Sequence, residues 1–137
     1  MVRIVTDSAA NLSTDLVEKH NIHVVPLRVQ MGSDTYREGI DLTQEEFFRR
    51  LPTTNPLPST SQPTPLDFEE VYKEILATGD EIVSVHLSSD LSGTYNSARN
   101  AMLSFEGSPI SIVDSRSVSA GIALHALAAA RMAEAGK

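Results

Sequence analysis

The stretch Glu81-Ile82-Val83-Ser84-Val85-His86-Leu87, followed at once by Ser88-Ser89-Asp90-Leu91-Ser92-Gly93-Thr94, decides the fold. Its first half is a short apolar run rich in β-branched residues, which predicts a buried strand over 81–87. Its second half is a Ser/Thr-rich turn, and the residues from about Gly93 to Phe105 predict a helix. A strand that passes through a hydroxyl-rich turn into a helix is the building unit of a parallel α/β sheet. The same junction is a ready anion site, because the first turn of a helix has orphan N–H groups and a positive dipole end.

Working outward, Val2 to Thr6 reads as a short buried strand, and Ser13 caps a helix running to about His20. Ile22 to Pro26 is a second strand, and Leu27 to Tyr36, through Gly32-Ser33-Asp34, is a small hairpin or extended excursion. Thr43 and Glu46 have the spacing of a capping box, opening a helix to about Leu51. Pro52 to Pro65 holds five prolines and many Ser/Thr, and reads as a loop. Thr64 then caps a helix with Pro65 at its first position. Its apolar residues Phe68, Val71, Tyr72, Ile75 and Leu76 keep helical spacing until Gly79 stops it. Pro109 to Val113 is a further strand, and Val118 to Ala135 a helix with a small-residue, alanine-rich surface.

Strands alternating with helices predict a single α/β unit over 1–137, a three-layer α/β/α arrangement with a mainly parallel sheet. Ligands of such folds sit beyond the carboxyl ends of the strands. The Ser59-Thr60-Ser61-Gln62-Pro63 turn, the Ser88–Thr94 turn, Asp7-Ser8 and Asp114-Ser115 all fall at or near that edge. The two Asp-Ser pairs echo each other, each ending a strand, and read as convergent capping chemistry rather than a repeat.

Composition narrows the function classes. The 137 residues carry a net charge of −7, which argues against nucleic acid and against an anionic membrane surface. There is no cysteine, which excludes disulfides, thiolate zinc sites and thiol catalysis. The apolar stretch from Val118 to Ala130 contains His125 and is too short to span a bilayer, so no stable membrane insertion is expected. The chain opens directly on a strand with no signal-peptide pattern, so the expected location is cytoplasmic.

Two turns carry the candidate chemistry. In one, Ser92 and local N–H groups would hold a carboxylate or phosphate, and Gly93 would let a ligand approach the backbone; alternatively Ser92 or Thr94 simply caps the helix. Neither a phosphate loop nor a Gly-x-Ser-x-Gly nucleophile elbow is present. The other turn, Ser59–Pro63, offers three hydroxyls and an amide, or is a solvated linker. Asp7 and Asp114 are a thin basis for a metal, and capping explains them better. His20, His23, His86 and His125 lack ligand spacing, so no metal site is expected. His86 lies two residues before Ser88; a Ser–His pair is conceivable, but side chains at i and i+2 share a face only while the strand continues. The spacing favours a structural histidine. Phe47, Phe48, Leu51, Phe68, Val71 and Ile75 are helix-face residues that serve a core or line a lipid tunnel.

Val-Thr-Asp-Ser at 5–8, Thr-Ser-Gln-Pro at 60–63, Ser-Ser-Asp-Leu-Ser-Gly-Thr-Tyr at 88–95 and Val-Asp-Ser-Arg at 113–116 stand in an order and spacing that resembles the DegV family. Val25-Pro26-Leu27 and Gly39-Ile40-Asp41-Leu42-Thr43 fit the same pattern. The resemblance implies a bacterial fatty-acid-binding protein of two α/β domains with a long-chain fatty acid between them. It implies that the present chain is the N-terminal domain, with the C-terminal domain absent. By motif match, Thr60 and Ser92 would bind the fatty-acid carboxylate, with Ser61, Gly93 and Thr94 as neighbours. The family further implies presentation of that carboxylate to a fatty-acid kinase for phospholipid synthesis, with no catalytic residue and no cofactor in the binding protein. Two rival readings stand beside it: a small hydrolase or phosphotransferase using Ser88 or Ser92 with His86 and Asp7 or Asp114, and a regulatory interaction domain docking through its alanine-rich helix.

Overall fold

The computed structural model describes residues 1–137, as seven strands and five α-helices. In chain order these are β1 (Val2–Asp7), α1 (Thr14–Lys19), β2 (His23–Val25), β3 (Arg28–Met31), β4 (Asp34–Arg37), α2 (Gln44–Arg50), β5 (Ser59–Ser61), α3 (Pro65–Ala77), β6 (Glu81–His86), α4 (Thr94–Leu103), β7 (Ile110–Asp114) and α5 (Ala120–Glu134). A four-stranded sheet of order β2-β1-β6-β7 is parallel throughout. Hydrophobic alternation covers both of its faces. Val5, Val25 and Ile82 pack on one side against Phe68, Tyr72 and Ile75 of α3 and Ala98 and Ala101 of α4. Their neighbours Ile4, Val24 and Val83 turn to the other side, against Ala126 and Ala130 of α5. The alanines let α5 sit close to the sheet, and the expected three layers follow.

A second sheet of order β4-β3-β5 is antiparallel and stands apart from the first. Its hairpin turns at Gly32, whose φ of 64° suits a residue without Cβ. Val29, Met31 and Leu42 form its own small core, with Tyr36 and Phe47 against it.

Two expectations need correction. The proline-rich segment 52–65 is not wholly a loop. It begins in a 3-10 turn, Leu51–Thr53, and contains β5, which fills the edge of β3 left open by β4. A strand edge presents unpaired backbone groups, and pairing them outweighs the weak strand propensity of Ser-Thr-Ser. The Thr43/Glu46 box is half formed. Thr43 accepts the Glu46 N–H at 3.2 Å, but the Glu46 carboxylate turns to Arg49, 2.8 Å from Nε. A charged partner one turn along draws the carboxylate away from a neutral N–H. At Thr64 the reciprocal box with Asp67 is complete, with Pro65 at the first helical position.

Candidate functional site

Beyond the carboxyl end of β6, the chain turns back on itself before α4. Ser88 accepts N–H bonds from Leu91 and Ser92 on its carbonyl, and donates its own N–H to Ser117 at 3.0 Å. Ser92 Oγ accepts the Thr94 N–H at 3.2 Å and lies 2.9 Å from Thr94 Oγ1. Gly93 holds the N-cap position and supplies no side-chain cap. Ser92 is half-buried and reachable from outside, whereas Thr94 is fully buried and props the Ser92 hydroxyl from beneath.

The second turn comes from β5. Thr60 pairs with Val29 and Ser61 with Arg28, so the two side chains point to opposite faces of the small sheet. Both are exposed. The adjoining Gln62 reaches across to the first turn. A Cβ placed on Gly93 would lie 2.9 Å from Gln62 Nε2, so the glycine is what admits this side chain. The fold thereby brings Gln62, next in the chain to Thr60-Ser61, against Gly93 of the Ser92–Thr94 turn. The spacing of residues carried no sign of the Gln62 contact, although the amide is visible in the motif.

Arg28, the cross-strand partner of Ser61, is paired. Arg28 Nη2 donates to both carboxylate oxygens of Asp67, at 2.7 and 2.9 Å. Burial pushes the Asp67 carboxyl up, but the Thr64 N–H, Arg28 and the Thr64 hydroxyl together hold it below the usual carboxylate value. The Thr60–Gln62 and Ser92–Thr94 segments themselves offer hydroxyls, an amide and backbone N–H groups; Arg116, exposed and 4.0 Å from Asp90, is a cation beside the second of them.

His86 is committed elsewhere. Its Nε2 lies 2.6 Å from Ser84 Oγ and its Nδ1 3.0 Å from Asp7 Oδ2, with all three residues fully buried. Tyr72 donates its hydroxyl to Ser84 Oγ at 2.8 Å. Burial pushes the Tyr72 phenol up, the Ser84 bond pulling weakly against it. The strand ends at His86, so its same-face neighbour is Ser84 rather than Ser88. The Ser–His–Asp grouping of the hydrolase reading, built on Ser88 or Ser92, is thus not assembled. Asp7 and Asp114 bond to separate sets of partners, and no group of three or more His, Asp or Glu side chains forms a metal-ligand cluster. A surface cavity of about 160 Å³ is lined by Arg3, Asn21, His23, Glu74, Thr78 and Asp80, at the opposite end of the sheet from both turns. No helix is long and apolar enough to cross a membrane.

With this geometry in view, a family model described as an uncharacterised protein of the DegV family matches residues 1–137. The chain belongs to the DegV family. DegV domain-containing proteins of Clostridium perfringens and Listeria innocua are 38% and 42% identical to it, each over 98% of this chain and 48% of the relative. The chain therefore spans about half the length of the curated relatives it matches. A fatty-acid-binding DegV family protein of Thermus thermophilus superposes with a TM-score of 0.90 at 37% identity, over 99% of this chain and 48% of that one. A stearic-acid-binding protein of Eubacterium ventriosum gives 0.91 at 33% identity, with the same coverage. The DegV fatty-acid-binding protein of Bacillus subtilis gives 0.90 at 35% identity, over 98% of this chain and 48% of that one.

Proposed function

We propose that this chain binds a long-chain fatty acid, holding its carboxylate between the Thr60 turn and the Ser92 turn. The observation that carries the reading is the meeting of those turns, with Gln62 seated on Gly93. Similarity to fatty-acid-binding DegV proteins of Thermus thermophilus and Bacillus subtilis supports the ligand class. Ser92 Oγ is reachable, and the start of α4 adds N–H donors and the positive end of its dipole. Thr60 and Ser92 bind the carboxylate directly; Ser61, Gly93 and Thr94 shape the place where it sits. Leu57 and Leu91, both strongly exposed, lie next to the two turns and offer the first apolar contacts to the acyl chain.

The energetics divide the work. Burying a methylene is worth about 0.8 kcal/mol, so a sixteen-carbon tail supplies up to roughly 12 kcal/mol before ordering costs. The hydroxyls offset the desolvation of the head group and fix its position. A carboxylate held by neutral donors also stays open to a second protein. On this reading the chain corresponds to the N-terminal domain of the family, has no catalytic residue, works in the cytoplasm and presents its ligand to a fatty-acid kinase.

The test is direct. Ser92→Ala should lower affinity for palmitate about tenfold, the worth of one hydrogen bond to a charged group, without unfolding the domain, although the buried Thr94 hydroxyl loses its partner and some stability is lost with it. Organic extracts of the purified protein should contain a C14 to C18 fatty acid. Unchanged affinity in the Ser92→Ala protein would sink the head-group assignment.

A further inference from the structure

Central strands of a parallel sheet are buried on both faces and are ordinarily near-continuous apolar runs. Here β1 and β6, the two central strands, carry fully buried Thr6, Asp7, Ser84 and His86. Such a polar group in a core is tolerated when every member is satisfied, and each is. Asp7 Oδ2 accepts from the Leu87 N–H at 3.0 Å and faces His86 Nδ1 at the same distance. Asp7 Oδ1 accepts the Ala9 N–H at 3.0 Å. A carboxylate can only accept, so Nδ1 donates to it, and in the neutral imidazole Nε2 is then the acceptor for Ser84 Oγ. Ser84 Oγ in turn accepts from Tyr72. The hydrogen bonds thus run in one direction, from the α3 phenol to the Asp7 carboxylate.

The group sits at a fork. On one side, Asp7 grips Leu87, and Leu87 leads into Ser88, whose carbonyl holds the Ser92 N–H at 3.1 Å. On the other side, Asp7 holds the 3-10 turn Ser8–Ala10. There Ser8 Oγ accepts the Leu27 N–H at 2.8 Å and donates to Glu38 at 2.6 Å. Leu27 opens β3, and β3 carries β5 with Thr60. Both turns therefore hang from one buried carboxylate–imidazole pair. From this geometry we infer that Asp7 and His86 are positioning residues that set the separation of the Thr60 and Ser92 turns. The functional meaning of this anchor rests on the head-group reading above; the anchoring itself does not.

The test uses the isotope-labelled 137-residue chain. Long-range proton–nitrogen spectra should place the His86 proton on Nδ1, with Nε2 as an acceptor. Without ligand, His86→Leu should move the backbone amide resonances of Thr60–Gln62 and Ser92–Thr94 together, while Val2 and Glu81 at the far end of the sheet stay in place. His86→Asn, whose carboxamide still donates to Asp7, should return both turns towards their original positions. A bystander core residue would give neither the tautomer nor the rescue. With palmitate, the Leu variant should bind about tenfold more weakly and the Asn variant within about threefold of the unaltered chain. A proton on Nε2 overturns the proposal, and so does a folded Leu variant with both turns unmoved. Should His86→Leu not fold, the tautomer and the Asn variant decide: a native fold with displaced turns in His86→Asn overturns it. Turns that move in concert in a chain that takes up no palmitate uphold the anchor and remove the head-group reading.

Discussion

Asp7-Ser8 and Asp114-Ser115 are the same dipeptide at the ends of two parallel strands, and the fold treats them differently. Locally they behave alike. Asp7 Oδ1 accepts the N–H of Ala9 and Asp114 Oδ1 that of Arg116, each two residues on and each at 3.0 Å. Beyond that turn they part. β1 lies inside the sheet, so Asp7 is sealed and its second oxygen meets His86 and Leu87. β7 is an edge strand, so Asp114 is partly open and takes the exposed Ser89 as its partner. Strand position, not sequence, turns one aspartate into a buried anchor and leaves the other a surface cap.

The largest effect expected from breaking this contrast is at Asp7. Asp7→Ala strips the acceptor from His86 and from the Leu87 and Ala9 N–H groups in a dry site, which should cost about 3–5 kcal/mol of unfolding free energy. Asp114→Ala should cost less than about 1 kcal/mol. Denaturant midpoints of the two variants, measured side by side, would erase the distinction if they fell together.

A middle-sized effect is expected at Tyr72. Tyr72→Phe removes one buried donor but leaves Ser84 free to donate to His86, so about 1 kcal/mol should be lost at neutral pH. The folded phenol is raised by burial above its ordinary value of 10. Its contribution is therefore present below pH 10 and lost as pH rises beyond it. Stability curves taken into alkali should converge for the unaltered and Tyr72→Phe chains; parallel curves would contradict the burial argument.

The smallest effect belongs to Asp114→Asn. The Ser89 hydroxyl bond, reinforced by the Arg116 and Ser89 N–H groups, lowers the Asp114 carboxyl from its ordinary value. A depressed carboxylate stabilises above its unfolded value, near 3.8, and that stability is lost as pH falls through the folded one. The gap between the two proteins should be a few tenths of a kcal/mol at pH 7, after solvent screening, and close once the pH has fallen through the lowered folded value. A gap that persisted into acid would assign the effect to packing.

How far these contrasts were legible beforehand varies with their range. The strands of the main sheet, the Thr64-Pro65-Asp67 helix start and the hydroxyl turn at Ser88–Thr94 were readable, because propensity, capping and turn chemistry act over a few residues. β5 was not, since Ser59-Thr60-Ser61 is polar, exposed and flanked by prolines, and becomes a strand through the open edge of β3. Spacing cannot rank a backbone N–H against a nearby arginine, so the turn of Glu46 to Arg49 leaves no trace in the sequence pattern. The serine that meets His86 lies behind it in the chain at Ser84 rather than ahead at Ser88, a choice that depends on where the strand ends.

By itself the sequence determined the alternation of strand and helix, the caps that start α1 and α3, and the placing of the Ser88–Thr94 turn at the carboxyl end of β6. These are short-range consequences of backbone geometry and side-chain type. Tertiary structure alone decided which polar groups meet: Gln62 with Gly93, and Asp7 with His86 from 79 positions away. Such meetings depend on strand order and burial, because a buried carboxylate must find its donors wherever the fold brings them, and no local pattern records that search.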